Sequence, residues 1–254
     1  DSFELAKILK IPVDEYGIFL EAHVKLRPLD FATDGVYLCG SAHWPSTVSE
    51  SIAQAYGAAS RASIPMSKRR VTAEPIISAV DQEKCIGCGV CETICPYSAI
   101  RLAKSTEGRW ISQTYEVMCK GCGTCAVSCP ATAIRMRHFE NQQVLAQIRV
   151  AFLTPAKDSE PRILAFTCNW CSYAGADLAG VSRIQYPPNI RIIRLRCSGR
   201  VDPIFVFEAF RSGADGVLIS GCHLEDCHYI SGNRWAEARY NLIRSWISEA
   251  GLEP

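Results

Sequence analysis

The stretch CIGCGVCETICP, Cys85–Pro96, decides how this chain is read, because CKGCGTCAVSCP, Cys119–Pro130, repeats its pattern 34 residues later. Each comb is spaced C-x2-C-x2-C-x3-C-P. Three closely spaced thiolates can grip three corners of an iron–sulfur cubane, while the fourth, at the start of a helix, points away toward a second cluster. The spacing therefore assigns Cys85, Cys88, Cys91 and Cys129 to one [4Fe–4S] centre, and Cys119, Cys122, Cys125 and Cys95 to another. Gly87, Gly89, Gly121 and Gly123 permit positive φ, so that backbone N–H groups can face cluster sulfurs. Pro96 and Pro130 have no N–H to leave unpaired and set φ as the chain leaves each comb. Structural zinc takes four ligands, usually as two separated CxxC pairs, and fits uninterrupted four-cysteine combs poorly. Gly121-x-Gly123-x-x-Ala126 matches a dinucleotide fingerprint in letters only. It lacks the preceding strand and is full of ligands.

Outward from the combs, 254 residues allow two or three modest domains with real cores. A formal net charge of +1 gives no bulk attraction to nucleic acid or to an anionic membrane. No window of about 18 apolar residues exists, so no membrane insertion is expected. Fourteen cysteines at metal spacing, without a signal peptide, point to a reducing cytoplasm and not to a disulfide scaffold. The chain starts at Asp1 in what reads as mid-domain sequence, which suggests a fragment or one half of a split protein. The expected organisation is 1–70, 78–138 with the combs, a helix and linker over 139–160 (helix near Gln142–Phe152, then TPAKDSE), and 162–254.

The last segment alternates strand and helix. RILAFTC (162–168), IRIIRLRC (190–197) and GVLISGC (216–222) are apolar strands; SYAGADLAGVSRI and DPIFVFEAFRSG suit helices between them. Strand–helix alternation implies parallel pairing through right-handed crossovers. The strands end in Cys168, Cys197 and Cys222, which brings these residues to one sheet edge, where open α/β folds place their sites. With Cys171 and Cys227, five thiols converge: a four-ligand [2Fe–2S] site and one spare, with zinc or a redox dithiol as alternatives. Cys171 and Cys227 compete for the fourth position. His223 and His228 could ligate, serve as outer hydrogen-bond donors or be merely exposed. Arg191, Arg194, Arg196 and Arg200 either form a solvated strand edge or raise a cluster potential and dock an acidic partner.

At the other end, TDGVYLCGSAHWPSTVSESIAQAYGAASRAS (33–63) reads as turn (Asp34-Gly35), buried strand VYLCG, then a helix beginning near Ser49-Glu50 with Ser49 as cap. Small residues Ala53, Gly57 and Ala58 allow close packing. Free N–H groups at Ser51 and Ile52 would suit an anionic or carbonyl-rich ligand, although a plain core helix explains the pattern equally well. Cys39 is expected to be an inert core residue.

Several resemblances add to this. Residues 80–137 resemble the bacterial two-cluster ferredoxins. Residues 33–63 look like the second flavin-contacting motif of two-dinucleotide-domain flavoproteins, which implies FAD contacts at Gly40, Ser41, Ala42, Ser51 and Ile52. Ser41 replaces the usual Asp, and the first motif, G-x-G-x-x-G after a strand, is absent, so the flavin's other half must come from another chain or segment. More specifically, FLEAHVKLRPLDFATDGVYLCGSAH (19–43), ESIAQAYGAASRA (50–62) and the double comb resemble the carboxy-terminal part of the heterodisulfide reductase A-subunit. Residues 162–254, with CNWCSYAGADLAG, RCSGRVDP and GCHLEDCHY, resemble the delta subunit of methyl-viologen-reducing hydrogenase. The implied chain is a multidomain α/β and α+β protein: a flavoprotein-domain piece, a 2[4Fe–4S] ferredoxin domain and a small parallel α/β domain with a [2Fe–2S] cluster. The resemblance implies an oxidoreductase electron-transfer subunit of anaerobic methanogenesis. Its partners would be other heterodisulfide reductase subunits and a hydrogenase or formate dehydrogenase docked on the carboxy-terminal domain. Its electrons would reach an FAD that bifurcates them. A quinone-linked or sulfur-metabolism complex without bifurcation, and a zinc-stabilised scaffold, are the alternatives. No catalytic side chain is expected.

Overall fold

The computed structural model describes residues 2–24, 26–70, 75–153, 160–251 and 253. It forms two compact units, Asp1–Glu74 with His223–Ile230, and Pro75–Cys222 with Ser231–Pro254. Most of the expected linker, 154–159, lies outside the described residues. Among those residues, no helix is long and apolar enough to cross a membrane.

In the first unit, α1 (Ser2–Leu9) and a run of turns enclose a small core of Ala6, Ile11, Phe19, Phe31 and Leu38. The Phe19 and Phe31 rings meet edge to face at 6.2 Å, the geometry that ring quadrupoles favour. VYLCG is not a strand. The segment makes one isolated bridge, Tyr37 with Asp30, because its neighbours curl as turns and give it no ladder to join. Cys39 is only half-buried, not a sealed core residue. The long helix α2 (Val48–Lys68) is capped by Thr47, not Ser49. Thr47 Oγ1 accepts from Glu50 N, and the Glu50 carboxylate accepts from Thr47 N at 2.8 Å, a reciprocal capping box. Gly57 earns its place on α2 because Leu29 Cδ1 would lie 2.4 Å from a Cβ there. Buried Asp30 anchors the helix through Arg61, with Nε 3.1 Å and Nη2 3.0 Å from its carboxylate oxygens.

In the second unit, the two combs fold as near-copies. β1 (Ser78–Val80) runs antiparallel to β4 (Ile134–Met136), and a hairpin of β2 (Ile100–Lys104) and β3 (Trp110–Thr114) fills the interval between combs. Each comb carries one short helix, α3 (Val90–Thr93) or α4 (Thr124–Val127). Their caps are Gly89 (φ 78°) and Gly123 (φ 84°), left-handed positions that a side chain would strain. After α5 (Asn141–Ala151) comes the parallel sheet, β5 (Ile163–Cys168), β6 (Ile190–Leu195) and β7 (Gly216–Ser220), ordered β6-β5-β7. The crossovers are α6 (Cys171–Val181) and α7 (Pro203–Arg211). Asp202 caps α7 by accepting from Ile204 N at 3.1 Å, with Pro203 at the first position, where a missing N–H costs nothing. Leu164, Phe166, Ile193 and Leu195 of the sheet pack on Val144 and Ile148 of α5, Phe205, Val206 and Ala209 of α7, and Ile243 of α8 (Gly232–Glu249). No residue of α6 is fully buried.

Candidate metal centres

Two cavities lie in the comb region. One is walled by Cys85, Cys88, Cys91 and Cys129, with Ser112 and Pro130. The other is walled by Cys119, Cys122, Cys125 and Cys95, with Ser78, Gly121 and Thr124. In each case the fourth cysteine comes from the other comb. Among the described residues, no three His, Cys, Asp or Glu side chains converge on the single point that one metal ion requires.

The sulfurs accept hydrogen bonds from the surrounding backbone. Ser112 N is 3.3 Å from Cys85 Sγ, Ala99 N 3.3 Å from Cys95 Sγ, Ala133 N 3.3 Å from Cys129 Sγ and Ser78 N 3.4 Å from Cys119 Sγ. The Cys95–Ala99 and Cys129–Ala133 bonds occupy the same place in the two repeats. Ser112 Oγ lies 3.0 Å from Cys91 Sγ. Burial pushes the Cys122 thiol up to about 11 and Cys125 well above its ordinary value; burial also raises Cys91, against the Ser112 hydroxyl. Burial opposes ionisation of Cys85 too, but N–H groups of Ser112 and Gly87 outweigh it and the net shift is down. Thiols held neutral by burial become thiolates when a cation joins them, and the donors already in place then stabilise the sulfur charge. This donor set suits an all-thiolate iron–sulfur core.

At the sheet edge, Cys168 ends β5, and Cys197 and Cys222 lie two residues beyond β6 and β7. Cys168 Sγ and Cys222 Sγ are 3.8 Å apart. Cys171, at the start of α6, bonds to Cys168 and Cys222, which raises its own thiol pKa. Ser172 N donates to Cys168 Sγ at 3.5 Å. Three sulfurs thus come together in this unit. Cys197 is buried and accepts from Gly199 N at 3.4 Å. Segment His223–Ile230 belongs to the first unit: Cys227 is buried there, His223 is exposed, and His228 is buried against the Tyr229 ring, centroids 4.8 Å apart.

The arginines separate by environment. Arg191 and Arg194 are exposed, and Arg194 lies over the Tyr173 ring at 4.7 Å. Arg196 is half-buried over Trp170 at 5.7 Å. Arg200 is buried, in a turn (Ser198–Arg200) that packs on the second comb: a Cβ at Gly199 would stand 2.6 Å from Thr124 Oγ1. Arg239 of α8 joins it, donating to Gly199 O and to Ser128 Oγ at 3.4 Å. Sequence reasoning did not single out Arg239, nor Ser78 and Ser112. Their contacts with the combs are long-range, and no local pattern marks them.

The expected flavin-contacting residues surround the start of α2. Ser41 lines an open depression with Ile18, Pro45, Ser46, Thr47 and Glu50. Gly40 N donates to Gln54 Oε1 at 2.8 Å, Ala42 O accepts from Phe19 N at 3.2 Å, and Ile52 is exposed. The N–H of Ser51 is not free: it donates to Thr47 O at 2.9 Å, because α2 begins earlier than expected. Glu50 also occupies the helix start with its own negative charge, so this terminus is poorly suited to an anion. Beside it, buried His43 pairs through Nε2 with Glu21 at 2.8 Å.

Residues 78–136 match the 4Fe–4S dicluster domain family, and residues 163–254 match the family described as methyl-viologen-reducing hydrogenase, delta subunit. The chain is 47% identical over 236 residues, 93% of its length, to the A-subunit of the ferredoxin/F(420)H(2)-dependent CoB-CoM heterodisulfide reductase of Methanosarcina acetivorans, covering 29% of that protein. It is 54% identical over 98 residues, 39% of its length, to the iron-sulfur D-subunit of the F420-non-reducing hydrogenase vhc of Methanococcus voltae, covering 68% of that protein. It is 51% identical over 140 residues, 55% of its length, to the A-subunit of the H(2):CoB-CoM heterodisulfide,ferredoxin reductase of Methanothermobacter marburgensis, covering 20% of that protein. The chain therefore spans less than a third of the heterodisulfide reductase relatives it matches.

Proposed function

This chain belongs to the heterodisulfide reductase A-subunit family, with a 4Fe–4S dicluster domain and a hydrogenase delta-subunit domain in one polypeptide, and on that premise we propose that it relays single electrons through three iron–sulfur centres. It is an iron–sulfur electron-transfer protein related to oxidoreductase subunits. In this reading Cys85, Cys88, Cys91 and Cys129 hold one [4Fe–4S] cluster, and Cys119, Cys122, Cys125 and Cys95 hold the second. Cys168, Cys171, Cys197 and Cys222, all in the second unit, hold a [2Fe–2S] cluster. The single observation that carries the reading is the lining of the two cavities, where each comb contributes its fourth cysteine to the other.

An iron–sulfur centre supplies reversible one-electron storage. The protein's task is to hold each centre dry, donate hydrogen bonds to its sulfurs and fix its neighbours. Ser78, Ala99, Ser112 and Ala133 donate to the comb sulfurs. The second comb packs on the Ser198–Arg200 turn, so it is the comb that faces the sheet-edge cysteines. The order we infer is sheet-edge centre, second cubane, first cubane. A hydrogenase-type or formate dehydrogenase subunit would dock on the carboxy-terminal domain, and heterodisulfide reductase subunits would complete the complex. An FAD completed by residues outside this chain would exchange electron pairs and bifurcate them; within this chain its support is the Ser41 depression alone. The test is anaerobic purification with metal analysis and EPR. About ten iron atoms per chain, from two cubanes and one two-iron centre, with signals appearing on reduction, is the expected result. Zinc without a paramagnetic signal overturns the reading in favour of a scaffold.

A further inference from the structure

One buried guanidinium group, Arg200, and one half-buried one, Arg239, sit against the second comb without a carboxylate to pair with. Arg200 is 1% exposed, and its Cδ lies 2.4 Å from the position of a Cβ on Gly123. The residue between Cys122 and Thr124 must lack a side chain for Arg200 to lie there. Arg200 Nη2 donates to Phe139 O at 3.0 Å and to Asn141 Oδ1, but its Nε and Nη1 have no hydrogen-bond partner. Arg239 spends its terminal nitrogens on Gly199 O and Ser128 Oγ, and its buried Nε has no partner either. Among the described residues neither forms an ion pair. The groups whose charge acts on Arg200 include Asp202, Cys125 and Arg239; those acting on Arg239 are Asp202, Cys197 and Cys122. Asp202 already accepts from Ile204 N as the cap of α7.

A buried cation without a counter-charge is costly, and two side by side repel each other. Such a pair is tolerable where negative charge stands next to it. Four thiolates around an iron–sulfur core carry net negative charge, and reduction adds one more. Charge and hydrogen bonding around a cluster set its potential. At the first comb, Arg109 acts on Cys85 from an exposed position, so water and salt screen it.

We propose that Arg200 and Arg239 are the counter-charge of the second cubane site and hold its reduction potential above that of the first. Both are positioning residues. They stabilise the reduced second cluster and so make the comb that faces the carboxy-terminal domain the better electron acceptor of the two. This rests on the cluster assignment proposed above, and the two ideas fail separately.

The experiment is EPR-monitored redox titration of the full chain, purified without air, for wild type, Arg200→Met, Arg239→Met and the corresponding Lys variants. Cys95→Ser identifies which cubane signal belongs to the second site. Each Met variant should retain its iron and lower the midpoint of that signal alone, by about 59 mV or more, equivalent to a tenfold change in the reduced-to-oxidised ratio at fixed potential. Lys should restore most of the shift. Equal shifts of both cubanes, no shift in either, or the same iron loss in Met and Lys variants would overturn the proposal and leave the arginines as packing residues. A wild type without iron would instead overturn the cluster assignment. Arg239→Met keeps the test open if Arg200→Met does not fold, since Arg200 also holds Phe139 and Asn141.

Discussion

Gly121→Ala separates the demands of a cluster loop from those of an ordinary turn. Gly121 has φ +72°, and a Cβ there would stand 2.2 Å from the backbone oxygen of Ile76. Gly108, in the turn between β2 and β3, has φ +78° and nothing within 4 Å of its Cβ position. Both substitutions incur the left-handed penalty of about 1–2 kcal/mol. Only Gly121→Ala also meets backbone, which cannot rotate aside as a side chain could. Overpacking of this kind costs about 1–3 kcal/mol, so the total for Gly121→Ala is about 2–5 kcal/mol. The strain can be relieved by moving either Ile76, at the entrance to β1, or the loop that carries Cys119 and Cys122. Either movement opens the second cavity and leaves the first, walled by Cys85, Cys88, Cys91 and Cys129, in place. The assay is anaerobic iron content, EPR and thermal melting of the two variants beside wild type. Gly121→Ala should lose the second cubane signal, or release its iron to a chelator on the order of a hundredfold faster, since about 2.8 kcal/mol is a hundredfold. Gly108→Ala should keep both cubanes and melt only slightly lower. If Gly121→Ala retains both clusters and melts no lower than Gly108→Ala, the steric argument is wrong.

Further outcomes follow from individual contacts. Cys95→Ser should weaken or alter the second cubane signal and spare the first, while Cys129→Ser should do the reverse; damage confined to each cysteine's own comb, seen by EPR, would refute the crossed assignment. Ser112→Ala removes the hydroxyl 3.0 Å from Cys91 Sγ while Ser112 N still donates to Cys85. It should lower the midpoint of the first cubane by up to about 59 mV and leave the second unchanged, read in the same titration. Glu208 is depressed to about 2 by hydrogen bonds from Arg211 and then Arg149, and so ties α5 to α7. Its folded pKa lies below the unfolded value, so the stability it contributes is present above about 4.5 and is lost as pH falls toward 2. The melting temperature of wild type should exceed that of Glu208→Gln near neutral pH, and the difference should shrink below about pH 4.5; a difference that does not depend on pH would remove the ion pairs from the account.

How much of this was legible before folding depended on the range of the interaction. The comb spacing is local: three cysteines within seven residues can surround one cavity almost whatever the rest of the chain does. The parallel sheet was also legible, because three apolar runs separated by helical segments leave few topologies, and Cys168, Cys197 and Cys222 reach one edge as a consequence. The amino-terminal piece was read less well. VYLCG has strand composition but finds no ladder, and Ser49 looked like a cap until Thr47 and Glu50 closed a capping box two residues earlier. Composition alone could not rank Arg191, Arg194, Arg196 and Arg200, which are four similar letters near one cysteine. Tertiary packing exposed the first two and buried Arg200 against Gly123, with Arg239 arriving from a helix about forty residues further on. The sequence by itself determined which sulfurs can gather, because ligand spacing is short-range chain geometry. Only the tertiary structure decided which gathering faces which buried charge, because that depends on surfaces brought together from distant parts of the chain.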